Sequence, residues 1–213
     1  MTPELDAAAR ERILDFVRPL SVGIDGVTNF GFVERRIRIS EILSEGEEGR
    51  SEASGCAEID PNRLFLLAAF AGLPSARRVT RDSREELLLR SLQIPFEEIS
   101  FLVSSLRRVE HDPQSAEERI VHDAMLLESV GAYGVTQILV AGARERMTLA
   151  EMAGEIEARM NAASFRTPAA RRLAEGRIEL AKTFAKRLAE EVAEFDDRVG
   201  EAERLPNTSR RTP

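Results

Sequence analysis

Apolar residues recur at helical spacing along almost the whole chain, and this periodicity constrains the fold more than any other feature. In the first segment they stand at Leu5, Ala9, Ile13, Phe16 and Val17, on one face of a helix. Similar spacing continues through the chain, without an alternation of strands and helices. We therefore predict an all-α fold of about eight helices in a single domain that covers residues 1–204.

Capping residues mark where several of these helices begin. Asp60 precedes Pro61, and a carboxylate cap followed by proline is typical of a helix start. Ser115 stands three residues before Glu118, which is the spacing of a capping box. Two later positions carry similar signals: Thr148–Glu151 and Thr167–Pro168. Each of these points predicts the first turn of a helix.

Two segments lack helical periodicity. Residues 44–57 are rich in Gly, Ser and Glu, and we predict a flexible loop there, after a helix from about Phe32 to Leu43. Residues 205–213 are predicted to be a disordered tail. Cys56 falls in the predicted loop and is the one cysteine of the chain, so an internal disulfide is excluded.

The last helix is predicted to be long, from about Pro168 to Val199, with one apolar stripe. The stripe consists of Leu173, Leu180, Phe184, Leu188 and Phe195. We expect it to pack on the helix's own domain. The alternative is a structural homo-oligomer, most simply a homodimer, with Leu180, Phe184 and Leu188 in its interface.

Charge and hydropathy restrict the partners. The net charge is −7, which disfavours binding to the phosphate backbone of nucleic acids. The longest apolar run, Leu64 to Leu73, is too short to span a bilayer, and the first residues carry no signal-peptide pattern. We therefore expect a cytoplasmic protein that binds neither nucleic acid nor a membrane.

Several motifs in the second half resemble the HD superfamily of metal-dependent phosphohydrolases. Ile94–Ile99 is similar to the Pro-Glu-Glu-Ile helix start of that family. Asp123-Ala124 matches the start of its Asp-Ala-Asp-Arg-Leu-like core, and Gly131-Ala132 matches the Gly-Ala pair that follows this core. Thr167–Ala174 resembles the start of its final helix. The resemblance implies a compact HD-type helical bundle and, in an intact member, a metal site that hydrolyses phosphate esters.

The metal ligands that this resemblance implies are mostly missing. The first histidine position of the family is occupied by Phe32, and the His-Asp pair by Ala71 and Gly72. Asp123 alone remains, and one carboxylate cannot hold a transition metal tightly in water. We predict a vestigial site formed by Phe32, Arg35, Ala71, Gly72 and Asp123, without metal or cofactor. Asp123 is expected to contact a cation, first Arg35 and second Arg36.

The chain contains two histidines, His111 and His122, and neither stands at a position where the resemblance implies a metal ligand. His122 precedes Asp123, so on a helix the two side chains diverge by about 100°. We expect both histidines to be separate and non-catalytic, although a rebuilt site around them or Asp123 stays open. The leading hypothesis is a catalytically inactive HD-like domain that binds an unknown protein partner or small ligand. The alternatives are a metal-dependent phosphohydrolase acting on a nucleotide or phosphate ester through an unrecognised site, and the structural homo-oligomer.

Overall fold

The computed structural model describes residues 5–21, 30–54, 59–73 and 83–204, and for 47–54 and 196–204 it describes the backbone alone. Within these ranges the regular elements are all helical, as the sequence predicts. Nine are α-helices: α1 (Ala7–Val17), α2 (Phe30–Ser54), α3 (Pro61–Phe70), α4 (Arg84–Ser91), α5 (Phe96–Arg108), α6 (Ala116–Ser129), α7 (Gly131–Glu145), α8 (Leu149–Ala162) and α9 (Pro168–Arg204). A 3-10 turn, Arg18–Ser21, follows α1.

The predicted helix starts are confirmed. The Asp60 carboxylate accepts from the backbone N–H groups of Asn62 and Arg63, at 2.8 and 3.1 Å. Both capping boxes form, at the first turns of α6 and α8. At the start of α9, the Thr167 hydroxyl accepts from the backbone N–H of Ala170 at 3.2 Å. These bonds satisfy N–H groups that the first turn of a helix leaves without a partner.

Helix α2 extends further than predicted. It continues to Ser54, through most of the segment 44–57 that we predicted as a loop, while residues 55–58 and Cys56 with them lie outside the described residues. A Cβ on Gly46 would lie 3.3 Å from the Cβ of Ala169, so α2 passes close to the start of α9 there. Glutamate favours helices, and this contact adds tertiary support that sequence composition does not reveal. The predicted tail 205–213 also lies outside the described residues.

The core is centred on α3, whose residues from Leu64 to Phe70 are all buried. Helices α2, α5 and α6 pack around it. Phe70, Leu67, Ile120 and Leu127 are among its largest fully buried side chains. Aliphatic and phenylalanine side chains thus hold α2, α3 and α6 together, and this packing fixes where the polar residues of those helices meet.

The boundary between α6 and α7 depends on Gly131. Its φ is +70°, a conformation that glycine adopts without strain, and a Cβ there would lie 2.9 Å from the Cβ of Arg177 on α9. Helix α6 ends at Ser129, and α7 begins at Gly131. No single helix within the described ranges is long and apolar enough to cross a membrane. Helices α6 and α7, bent by 64°, pass that test only when taken together.

The inward face of α9 differs from the prediction. Its buried residues are alanines: Ala169, Ala170, Ala174, Ala181 and Ala185. The predicted stripe is largely exposed instead, with Leu173 at 43%, Leu180 at 57%, Phe184 at 41% and Phe195 at 66% of full exposure. The expectation that this stripe packs on its own domain is therefore wrong. Small alanine side chains allow α9 to lie close to its neighbours, and the larger residues are left beside that contact.

Candidate functional site

Arg36 of α2 forms a buried ion pair between α2, α3 and α6. Only 7% of the residue is exposed. Its Nε donates to Oε2 of Glu128 on α6 at 3.2 Å, and its Nη2 lies 3.1 Å from the same oxygen. Its Nη1 donates to the backbone carbonyl of Ala71, directly after α3. One guanidinium therefore connects the end of α3 to the far end of α6.

Gly72 makes room for this guanidinium. Its φ is +72°, and a Cβ there would lie 3.3 Å from Nη1 and 3.4 Å from Nη2 of Arg36. The same Cβ would lie 3.5 Å from Cε of Met125 on α6. Any larger residue would both strain the backbone and crowd the guanidinium. Ala71 and Gly72, where the resemblance implies a His-Asp pair, are thus covered by Arg36 and Met125.

Glu128 is incompletely satisfied. The residue is 5% exposed, and its second oxygen, Oε1, is buried without a hydrogen-bond partner. Burial raises the pKa of Glu128, while the charge and hydrogen bond of Arg36 and the charge of Arg35 oppose that rise. An ionised carboxylate in such surroundings needs its cations, because it has lost its water.

Arg35 lies next to this pair and reaches the surface. Its Nη2 donates to the Tyr133 hydroxyl at 2.9 Å, and its guanidinium carbon lies 4.1 Å from the centre of the Tyr133 ring. Phe32 packs edge-on against the same ring, with 5.2 Å between ring centres. Nη1 of Arg35 is buried and has no hydrogen-bond partner. Phe32, Arg35 and Tyr133 therefore form an aromatic and cationic rim beside Glu128.

The side chain of Asp123 faces the start of α9 and not the Arg36–Glu128 pair. Its carboxylate is fully buried and accepts from the backbone N–H groups of Arg166 at 2.8 Å and Thr167 at 2.6 Å. The expectation that it contacts Arg35 or Arg36 is wrong. Residues 123 and 125 are about 200° apart on a helix, so Met125 faces Gly72 while Asp123 faces the start of α9. Asp123 has a structural task that leaves both oxygens occupied.

The two histidines do not meet. His122 is buried, and its Nδ1 lies 2.8 Å from the carbonyl oxygen of Val109, to which the protonated nitrogen donates. His111 is exposed, with its Nε2 4.0 Å from a carboxylate oxygen of Glu110. As the helix geometry predicts, His122 and Asp123 have different partners.

The residues at this site do not fit a catalytic metal. The side chains of Phe32, Ala71 and Gly72 offer no donor atom, and Asp123 is engaged by backbone N–H groups. Among the described residues there is no group of three or more His, Cys, Asp and Glu side chains that could hold a metal ion. A guanidinium contacts the carbonyl of Ala71 instead.

Sequence reasoning missed Glu128, Met125 and Tyr133, and it ranked Arg36 behind Arg35. One signal was available for Glu128: it is a lone charge in the apolar stretch from Ala124 to Ala132, where a carboxylate needs a partner. Nothing in the sequence marks Tyr133, which meets Arg35 across 98 residues of chain.

The comparisons with known proteins agree on the fold. No family model and no curated protein matches this chain. Among solved structures it is similar to Bacillus subtilis YpgQ in complex with ADP, at TM-score 0.62 and 17% identity, over 86% of this chain and 95% of that one. It is similar to a Listeria innocua protein, at TM-score 0.64 and 16% identity, over 87% and 96%. An HD-superfamily hydrolase from Bacillus thuringiensis matches at TM-score 0.60 and 16% identity, over 87% and 97%. The chain therefore has the all-α fold of the HD-superfamily hydrolases.

Proposed function

We propose that this chain is an HD-like domain that does not hydrolyse phosphate esters and acts as a binding or scaffolding module. The observation that carries the proposal is the position of Arg36. Its guanidinium lies against the backbone of Ala71 and Gly72 and is held there by Glu128. A fixed positive charge at this point opposes the approach of a divalent cation, because like charges repel strongly where water is excluded.

The chemistry of an HD hydrolase supports the same proposal. Such a reaction needs a metal that lowers the pKa of a bound water and generates the nucleophile. Glu128 cannot replace the metal, since a carboxylate acting as general base still needs a positioned water and a stabilised leaving group. In this chain Oε2 of Glu128 is already paired with Arg36.

The rim of Phe32, Arg35 and Tyr133 supports a binding role. Tyr133 is 40% exposed, and Arg35 is half-buried with its guanidinium beside the Tyr133 ring. Arginine is well suited to phosphate groups, and an aromatic ring beside it can contact a base or sugar. The similar YpgQ was solved with ADP, which makes a nucleoside diphosphate the first ligand to test on this chain.

Metal analysis and hydrolysis assays together test the proposal that the chain does not hydrolyse phosphate esters. Protein purified without chelator is assayed against nucleotides and a chromogenic phosphate ester, with added manganese, nickel or magnesium. We expect far less than one metal per chain and no metal-dependent phosphate release. About one firmly bound metal per chain with turnover would favour the alternative, a phosphohydrolase with an unrecognised site.

A variant with restored donors separates a lost site from a hidden one. Arg36→Met is combined with Phe32→His, Ala71→His and Gly72→Asp, since Gly72→Asp alone would crowd the guanidinium. We expect this variant, if folded by circular dichroism, to bind manganese more tightly than wild type. Equal metal affinity in the two folded proteins would contradict the assignment of these positions.

The proposal that the rim binds a ligand is tested by thermal unfolding with and without ADP. We expect ADP to raise the Tm of wild type and of Arg38→Ala, but not that of Arg35→Ala. Arg38 is the matched control, since it is an exposed arginine on the same helix. If no nucleotide changes the Tm of the wild type, nucleotide binding is rejected, and a protein partner becomes the ligand to seek.

A further inference from the structure

In the second half of α9, from Lys186 to Phe195, none of the described side chains is buried. Helix α8 has 14 residues and α9 has 37, and Ala185 is the last buried residue of α9 among the side chains described, which end at Phe195. From Ala185 to Arg204 the helix continues for roughly 28 Å at 1.5 Å per residue. An isolated helix of this length is marginal in water, so its apolar side chains need a surface to pack against.

The apolar side chains of this segment share one face. Phe184, Leu188, Val192 and Phe195 follow one another at intervals of four, four and three residues. Phe184 is 41% and Phe195 66% exposed, and Leu188 and Val192 are half-buried. We call these four residues the α9 stripe. Two exposed phenylalanines on one narrow face are typical of an interaction surface.

The charges beside the stripe change sign along the helix. The basic residues come first and the acidic residues follow: Lys182, Lys186, Arg187, then Glu190, Glu191 and Glu194. Their pairs within the helix are exposed, as for Arg187 with Glu191 at 2.8 Å, where the side chains are 63% and 57% exposed. Exposed pairs of this kind contribute little and can exchange partners.

This charge order identifies the occupant of the stripe. A second copy in parallel would set basic residues against basic residues. An antiparallel copy sets the basic part of each helix against the acidic part of the other, which gives a self-complementary surface. With the twofold axis near Glu190, Leu188 would meet Val192 of the partner subunit, and Arg187 would lie within one helical turn of the level of Glu191 of the partner subunit.

We propose that this protein forms an antiparallel homodimer through the α9 stripe. The dimer covers the phenylalanines that the monomer exposes, and it leaves the rim of Arg35 and Tyr133 free for another ligand. Scaffolding then follows from the geometry, because the two domains lie at opposite ends of a shared helical pair.

Sedimentation equilibrium of the full chain tests the proposal. We expect a dimer with a Kd in the micromolar range or below, and we expect Phe195→Glu to weaken it by about tenfold or more. Phe96→Glu is the matched control, because Phe96 on α5 is 65% exposed against 66% for Phe195. A wild-type protein that stays monomeric at about 100 µM, or a dimer that Phe195→Glu leaves unchanged, would overturn the proposal.

The antiparallel arrangement has its own test. Arg187→Glu should weaken the dimer several-fold, and the double variant Arg187→Glu/Glu191→Arg should restore it. Circular dichroism melts are the check that each variant is folded. A dimer insensitive to Arg187→Glu, or one that the double variant fails to restore, contradicts the antiparallel pairing. A monomer that binds anionic vesicles would assign the stripe to a lipid surface instead and overturn the proposal.

Discussion

The two ends of α6 each bury a glutamate, and the two sites are built in opposite ways. Glu118, in the first turn, is fully buried and accepts from the Ser105 hydroxyl at 2.7 Å and the Gln114 N–H at 2.6 Å, and from Arg108. Glu128, in the last turn, has Arg36 on one oxygen and no partner on the other. The helix dipole also favours a negative charge at the first end and disfavours it at the second.

The pKa values follow this difference. Burial acts to raise the pKa of Glu118, but the hydrogen bonds from Arg108, Gln114 and Ser105 outweigh it, and the result lies below the ordinary value of 4.5. Burial dominates at Glu128, and the result lies above 4.5. A carboxylate with a full set of donors holds a fold together. A carboxylate held by one guanidinium, with its second oxygen buried and without a partner, marks a place that the fold keeps at some cost.

The largest expected effect is at Glu118. Glu118→Ala leaves the Ser105 hydroxyl and the N–H of Gln114 without their acceptor, so we expect a loss of about 3–5 kcal/mol in the free energy of unfolding. Urea denaturation measures it. Glu151→Ala is the control, because Glu151 has the same capping-box position at the start of α8 but is exposed there. A smaller loss for Glu118→Ala than for Glu151→Ala would refute the contrast.

A middle-sized effect is expected at the Arg36–Glu128 pair. Arg36→Met leaves a buried carboxylate without its cation, and we expect it to cost about 2–4 kcal/mol of stability. The double variant Arg36→Met/Glu128→Leu removes both charges and should be close to wild type in urea denaturation. Additive losses from the two single changes would mean that the pair does not act as a unit.

The smallest effect is a difference in pH dependence. The pKa of Glu128 is raised on folding, so its contribution is complete below about pH 4.5 and is lost as the pH rises through the folded value. The pKa of Glu118 is lowered, so its contribution is present above 4.5 and is lost as the pH falls through the folded value. We expect Glu128→Gln to gain stability relative to wild type as the pH rises towards neutrality. The deficit of Glu118→Gln should shrink below pH 4.5. Urea unfolding across the pH range checks both, and parallel curves for the two variants would contradict the pKa directions.

Local signals in the sequence predicted much of the fold but only part of the site. Ser115 and Glu118 reach backbone groups within one turn, so four residues suffice to predict that contact. Arg36 and Glu128 are 92 residues apart, and nothing local links them. The apolar neighbours of Asp123 on α6 predict that its carboxylate is buried. They do not predict that it faces the backbone of Arg166 and Thr167.

The sequence by itself determined that the chain is helical, where most helices begin, and that Phe32, Ala71 and Gly72 stand where the resemblance implies histidine and aspartate. These properties depend on side chains within a turn of one another and on residue identity. The tertiary structure alone decided that α9 packs through alanines, that Asp123 supports the start of α9, and that a guanidinium contacts the backbone of Ala71. The reason is that each of these outcomes depends on how closely two helices approach and at what angle. That approach is set by packing summed over the whole core, not by any one segment.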